Sequence, residues 1–216
     1  MNTALNLFDA HSIVGDLGLI GILAIIFAET GLLIGLAFPG DSLLFIAGIA
    51  ASGSGAAILG GAALDPAILL LTAPLAAIAG AQTGHFLGKK FGPSFFERPD
   101  GKFFNREKVV KTEKWLTKYG VGKALVLARF VPFVRTLINP LAGIVHIPAK
   151  KFLIWNIFGG ILWTELVIGL GIFLGEKLSG SVDQYLLPAV VVIVALSLIP
   201  VALEIVREWR SKNDLS

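Results

Sequence analysis

Two arginines lie inside one of the most apolar stretches of the chain, "LARFVPFVRT" at residues 127–136. Arg129 and Arg135 are far from any run of polar residues, and a charge near a bilayer centre costs about 2.5–3.5 kcal/mol. A guanidinium stays charged when buried and offers a planar fork of donors to an anion. The two side chains therefore indicate a functional site that binds an anion. They are not expected to be there only to fill space in the protein interior.

Two carboxylates occupy comparable positions in the first part of the chain. Glu29 lies in "FAETGLLIG" and Asp41 in "FPGDSLL". A carboxyl group in apolar surroundings can take up and release a proton near neutral pH. The structural alternative is that these acids only neutralise the arginines as buried ion pairs. Since apolar residues would fill the space at a lower desolvation cost, we predict that all four groups share one polar cavity near the midplane.

Helix breaks accompany both pairs. Arg129 and Arg135 are six residues apart, so a straight helix would direct them roughly 120° apart around its axis. Pro132 removes a backbone donor and breaks that helix, which lets both guanidiniums face one cavity. Pro39 is expected to break the chain in the same way beside Asp41.

The composition indicates lipid as the solvent. Hydrophobic residues make up 55% of the 216-residue chain and charged residues 15%, whereas soluble domains carry roughly 25% charged residues. The chain has no cysteine, which excludes disulfides, thiolate metal sites and cysteine nucleophiles. An all-α integral membrane protein is predicted, with apolar runs of about 20 residues at 17–38, 42–64, 67–87, 152–174 and 185–206.

The distribution of lysine and arginine predicts the topology. No lysine or arginine precedes Lys89, and segment 89–123 carries ten lysines and arginines against four acidic residues. The positive-inside rule places this segment, Lys150–Lys151 and the C-terminus in the cytoplasm. Segment 124–149 then begins and ends on the same side, so we predict a re-entrant hairpin turning near Pro132 or Pro140.

The two halves of the chain resemble an inverted repeat of hairpin plus crossing helix, with an extra C-terminal crossing helix. Two plain crossings within 17–64 remain the alternative for the first hairpin. Between the halves, 105–120 predicts a basic amphipathic helix with an apolar stripe that includes Leu116, either on the membrane surface or as a solvated linker. The predicted organisation is a first hairpin region at 17–64, a crossing at 67–88, an interfacial segment at 94–120, a second hairpin at 124–149 and crossings at 152–175 and 185–206.

These motifs resemble the DedA family, relatives of the VTT-domain lipid scramblases. The resemblance rests on "FPGD" at 38–41, "ARFVPFVRT" at 128–136, "FLIWNIFGGILW" at 152–163 and the glycine motif "GAQTGHFLGKKFG" at 80–92. Ala81 and His85 depart from the acid and the tyrosine that the glycine motif usually carries.

The resemblance implies a transporter of undecaprenyl phosphate, a flippase or scramblase driven by the proton motive force in the bacterial inner membrane. It assigns proton coupling to Glu29 and Asp41 and phosphate binding to Arg129 and Arg135. The expected partners are the lipid and protons, with no nucleic acid, cofactor, metal or enzymatic step, and a homo-oligomer remains open.

Two functions from other classes stay as alternatives. A proton- or cation-coupled exchanger of small ions would use the acidic pair, although a cation path rarely keeps two arginines. A membrane lipid phosphatase would need catalytic histidines that the sequence context does not indicate. Weaker candidates for a role are Glu165 and His85, while Trp155, Trp163 and Trp209 are expected to lie at the membrane interfaces.

Overall fold

The computed structural model describes residues 18–32, 40–55, 63–96 and 106–178, and this part of the chain is helical without strands. The predicted all-α class is confirmed for these residues. The described helices are α1 (Gly18–Gly31), α2 (Gly40–Ala50), α3 (Pro66–Phe96), α4 (Arg106–Tyr119), α5 (Val121–Ala128), α6 (Pro132–Ile144) and α7 (Ala149–Leu178).

Two of these helices are long and apolar enough to cross a membrane. The apolar spans cover Pro66–Gly92 in α3 and Ala149–Lys177 in α7, with 27 and 29 residues. At a rise of about 1.5 Å per residue, each exceeds the roughly 30 Å hydrocarbon core. They contain the runs predicted to cross at 67–88 and 152–175, whereas the predicted crossing at 185–206 lies outside the described residues.

The two long helices run antiparallel. His85 of α3 stacks on Phe152 near the start of α7, with ring centroids 4.5 Å apart. Ile78, earlier in α3, accepts a hydrogen bond from Asn156, later in α7, at 2.9 Å. Because the contacts follow opposite orders along the two helices, α3 and α7 point in opposite directions.

Segment 124–149 consists of two short helices. α5 has 8 residues and α6 has 13, so they extend about 12 and 20 Å and neither spans the hydrocarbon core alone. The helical path is interrupted at Arg129–Val131, and α6 begins at Pro132. Pro140 lies inside α6 and does not end that helix. Of the two prolines considered for the turn of the hairpin, Pro132 is therefore the one next to the interruption.

The chain reverses its direction between α5 and α6. α5 lies along α7 in the same direction, because Gly122 contacts Trp155 and Val126 contacts Gly159. α6 lies along α3 in the same direction, and the contacts are Asn139 with Gly84 and Ile144 with Gly92. Since α3 and α7 are antiparallel, α5 and α6 are antiparallel as well.

The first pair of short helices has the same relation to the long helices. α1 runs along α3 and α2 runs along α7, so these two helices also oppose each other. The contacts that give the directions are Phe27 with Gly80, Gly31 with Gly84, Phe45 with Gly171 and Ser52 with Gly175. In each pair, the first helix packs on the long helix that follows it, and the second packs on the long helix of the other half.

A stripe of glycines on α3 allows this close packing. A Cβ at Gly80 would collide with the side chain of Thr30 and the backbone of α1, and a Cβ at Gly88 would collide with the backbone of α6. With a spacing of four residues, the glycines share one helix face. They are the glycines of the predicted motif, and α1 and α6 meet them in succession: Gly80, Gly84, Gly88 and Gly92.

The basic helix α4 places part of its apolar stripe against protein. Leu116 is buried in a core cluster with Ala124 and Ile138, so this side chain does not serve the predicted contact with lipid. Lys114, Lys118 and Tyr119 are exposed. Whether that exposed side lies on a membrane surface stays a prediction.

Candidate functional site

The four predicted charges lie at helix ends beside the two chain reversals. Glu29 lies in the last turn of α1 and Asp41 in the first turn of α2. Arg129 follows α5 directly, and Arg135 lies in the first turn of α6. Each pair of short helices therefore carries its charges at its tip. The predicted helix breaker Pro39 lies outside the described residues.

Arg135 joins the tips of the two helix pairs. Its Nη1 donates to Asp41 Oδ1 and its Nη2 donates to Glu29 Oε1. The guanidinium carbon also lies 4.6 Å from the ring centroid of Trp163, a cation–π distance. Its Nε is buried and has no hydrogen-bond partner among the described residues, so one donor of the fork is left over.

The start of α2 positions the Glu29 carboxylate. Glu29 accepts a hydrogen bond from the backbone N–H of Gly40, the first residue of that helix. A Cβ at position 40 would collide with the carboxylate, so a larger residue there would displace the end of the Glu29 side chain. The N-terminal end of a helix favours negative charge. Glu29 is buried with 5% of its side chain exposed, whereas Asp41 is 28% exposed.

Arg129 has a different environment from Arg135. Its Nη2 donates to Oδ1 of Asn156, an uncharged group, and the same amide donates to the carbonyl of Ile78. Gly159 and Gly160 leave room for its side chain along α7. Arg129 is buried, yet no carboxylate pairs with it in the part of the chain that the structure describes.

Of the four groups predicted to converge, Glu29, Asp41 and Arg135 are in contact and Arg129 is not in contact with either acid. A shared polar cavity near the midplane stays a prediction. Both carboxylates pair with Arg135, and neither pairs with Arg129. The interpretation of the acids as counter-ions applies to Arg135 alone. Two acids therefore share one arginine, while the other arginine keeps its charge without a nearby anion among the described residues.

Three residues of the site were missed or misassigned from the sequence. Asn156 holds Arg129, and Asn139 of α6 donates to the carbonyl of Thr30 at 2.8 Å, which ties α6 to α1. Lone amides within apolar helices were the available signal for both. Trp163 was assigned to a membrane interface, which is wrong: it is 4% exposed and lies against Arg135.

The weaker candidates lie elsewhere. His85 Nε2 is 2.9 Å from the carbonyl of Ile147, and the ring stacks on Phe152. This histidine links α3 to the turn between α6 and α7, which is a structural role. Glu165 lies on α7 at a partly exposed position, and it makes no hydrogen bond or ion pair with the described residues.

The fold and site define a class of helical membrane protein with two antiparallel long helices and two pairs of short helices whose charged tips meet. A family model described as the VTT domain matches residues 38–173. The chain belongs to the DedA family of VTT-domain membrane proteins.

Relatives cover most of the chain. Protein DedA of Escherichia coli K12 is 36% identical over 187 residues, which is 87% of this chain and 81% of the relative. The uncharacterized membrane protein Rv0364 of Mycobacterium tuberculosis is 34% identical over 205 residues, which is 95% of this chain and 86% of the relative. No solved structure matches. The family and the names of these relatives establish a membrane protein.

Proposed function

We propose that this protein transports a phosphorylated polyprenyl lipid, undecaprenyl phosphate, across the bacterial inner membrane at the expense of the proton motive force. The observation that carries the proposal is the buried guanidinium of Arg129, whose hydrogen-bond partner among the described residues is an uncharged amide. A buried charge without an opposite charge is unfavourable in low dielectric. A phosphate that enters the site would remove that cost.

The charges of the site explain why protons accompany the lipid. Glu29, Asp41, Arg129 and Arg135 sum to zero, so a phosphate headgroup adds one or two uncompensated negative charges. Uptake of a proton by Glu29 or Asp41 would offset one of these charges. It would also release one arm of the Arg135 fork, which then joins Arg129 at the phosphate.

The two arginines differ in their partners among the described residues: Arg135 is held by two carboxylates, and Arg129 by an uncharged amide. The order of events follows from this difference. Arg129 is the first ligand of the phosphate, because no ion pair has to break before it binds. Arg135 becomes a ligand after one of its carboxylates is protonated. The buried Nε of Arg135, which has no partner among the described residues, provides a further donor. The proposal contains no covalent step and needs no cofactor.

We also propose that both helix pairs are re-entrant and form an inverted repeat across the membrane. The reversal between α5 and α6, together with the exchange of packing partners between the halves, supports this arrangement. Single cysteines can test it because the chain has none. Exposed positions 123 and 150 should be labelled from the cytoplasm and exposed position 65 from outside. Labelling of 123 and 150 from opposite faces contradicts the re-entrant hairpin.

Arg129→Gln tests the function most directly. The purified variant is reconstituted into liposomes, and transbilayer movement of undecaprenyl phosphate is measured with and without a pH gradient. Since Arg129 has no carboxylate partner among the described residues, its removal leaves no carboxylate without a counter-ion. We expect a melting temperature in detergent at or above that of the parent protein, and a loss of transport of at least about tenfold, the equivalent of ~1.4 kcal/mol.

Arg135→Gln is the matched control. It removes the same group but leaves two carboxylates without a cation, so it should lower both the melting temperature and transport. Arg129→Lys keeps the charge without the planar fork and should transport poorly. Transport by Arg129→Gln at the parental rate would overturn the proposal. A fall in its melting temperature as large as that of Arg135→Gln would show that Arg129 serves the structure.

A further inference from the structure

One face of α7 contacts both arginines of the site through uncharged side chains. Asn156 accepts a hydrogen bond from Arg129. The guanidinium carbon of Arg135 lies 4.6 Å from the ring centroid of Trp163. Asn156 and Trp163 are seven residues apart, about two turns, so they lie on the same side of α7. Gly160 lies between them, and a Cβ there would be 3.8 Å from the guanidinium carbon of Arg129. One helix therefore carries an uncharged partner for each guanidinium.

The contact with Trp163 leaves the hydrogen-bond donors of Arg135 available. A cation–π contact is an attraction between the positive charge and the ring, and it needs no N–H donor. The geometry of Arg135 agrees, since Nη1 donates to Asp41 and Nη2 donates to Glu29 while the guanidinium carbon lies over the ring. Arg135 thus has two kinds of partner: carboxylates that occupy its donors and a ring that does not.

The two kinds of partner also respond differently to protons. A carboxylate that takes up a proton loses its charge and with it the ion pair to Arg135, whereas an indole ring has no acidic or basic group that changes charge in the same range. Trp163 is 4% exposed and belongs to a core cluster with Leu44 and Ile168, so packing fixes the position of its ring. The ring therefore continues to attract Arg135 after a carboxylate has been protonated.

We propose that Trp163 is a positioning residue for transport: it keeps the guanidinium of Arg135 in place when a carboxylate is protonated, so that the freed donors meet the phosphate held by Arg129. The inference rests on the proposed function, in which Arg135 becomes a ligand after protonation. Without the ring, the released side chain would have to be ordered anew for each phosphate, and immobilising a long side chain reduces affinity. A weaker ring contact should therefore raise the KM for the lipid more than it lowers the maximal rate.

Fluorinated tryptophan tests this role with little change in shape. Fluorine atoms withdraw electrons from the ring and so weaken its attraction for a cation, while the packing of the side chain is nearly kept. Tryptophan with one, two or three fluorines is introduced at position 163 of the full-length chain by nonsense suppression. The KM for transbilayer movement of undecaprenyl phosphate is then measured in liposomes. We expect the KM to rise with each fluorine and to reach at least about threefold with three.

The pH dependence of the KM separates positioning from packing. The charged groups that interact with Arg135 among the described residues are Glu29 of α1, Asp41 of α2 and Arg129 at the end of α5. At alkaline pH both carboxylates hold Arg135 whether or not the ring attracts it, and at acidic pH they hold it less. The ratio of the KM of the fluorinated protein to that of the parent should therefore increase as the pH falls. Titration of the lipid phosphate cancels in this ratio, and a ring that serves packing alone would give the same ratio at every pH.

Trp155, an exposed tryptophan on the same helix, provides the matched control: the same fluorinated residues there should leave the KM unchanged. Trp163→Phe keeps a weaker π face and Trp163→Leu keeps none, so the KM should rise in that order, with the melting temperature as the check that each variant is folded. An unchanged KM across the fluorinated series, in a protein that loses transport on Arg129→Gln, overturns the positioning role and leaves the proposed function standing. Absence of undecaprenyl phosphate transport by the parent protein refutes the proposed function, and this role with it.

Discussion

The three ionic groups that join the tips of the two helix pairs should differ sharply in their effect on stability. Arg135→Gln leaves Glu29 and Asp41 close together without a cation. Glu29→Gln leaves Arg135 paired with Asp41 and still able to donate to the new amide. Asp41→Asn removes the more exposed of the two carboxylates, with 28% of the side chain exposed against 5% for Glu29. We expect destabilisation to decrease in that order.

The sizes follow from what each substitution leaves behind. Removing one partner of a buried pair costs about 3–5 kcal/mol, which is the range expected for Arg135→Gln. Weakening one charged hydrogen bond costs about 1.5–3 kcal/mol, which applies to Glu29→Gln, and the exposed Asp41 should cost less. With a shift of about 2–4 °C per kcal/mol for a chain of this length, Arg135→Gln should lower the melting temperature by roughly 6–20 °C.

The assay is thermal unfolding of the purified protein in detergent, followed by size-exclusion chromatography. The double variant Glu29→Gln plus Arg135→Gln should be more stable than Arg135→Gln alone, because one unpaired carboxylate is gone. Acidic pH should reduce the defect of Arg135→Gln, since unpaired carboxyl groups then become protonated. A smaller effect for Arg135→Gln than for Asp41→Asn would refute the reasoning.

Two further predictions concern packing. Gly80→Ala should destabilise the protein strongly because its Cβ would enter the backbone of α1, whereas Ala79→Val on the exposed side of α3 should melt within about 2 °C of the parent, as surface substitutions do. Trp163→Leu should lower the melting temperature because it removes a buried ring and its cation–π contact with Arg135, which is worth about 0.5–2 kcal/mol. The same change at the more exposed Trp155 should have the smaller effect, and equal shifts for the two tryptophans would contradict the assigned contact.

The sequence predicted the features that depend on local pattern. Long apolar runs predicted the two crossing helices, since hydrocarbon thickness fixes their length. The helix start at Pro132 followed from the missing N–H and fixed φ of proline. The convergence of all four charges was predicted because charges in lipid need one another or a ligand, and contact is found for Glu29, Asp41 and Arg135.

The sequence could not assign the partners within the site. Which arginine the acids bind depends on where the tip of α6 lies relative to α1, and no spacing along the chain encodes that distance. Asn156 was overlooked because a single amide in an apolar helix has several ordinary uses. Trp163 was placed at an interface because aromatic residues in crossing helices often lie there, and a guanidinium on a different helix gives no local signal.

The contacts of the two arginines differ in whether they join the two halves of the chain. Arg135 belongs to the second helix pair and both of its carboxylates to the first, so these ion pairs link the two helix pairs and oppose their separation. The contact between Arg129 and Asn156 lies within the second half and can persist through such a separation. Protonation of the carboxylates weakens the contacts between the halves and leaves the Arg129 contact intact. The groups that we propose to bind protons are therefore also among those that join the two tips, together with the hydrogen bond from Asn139 to the Thr30 carbonyl. In the proposed function, proton uptake would couple phosphate binding to movement of the halves.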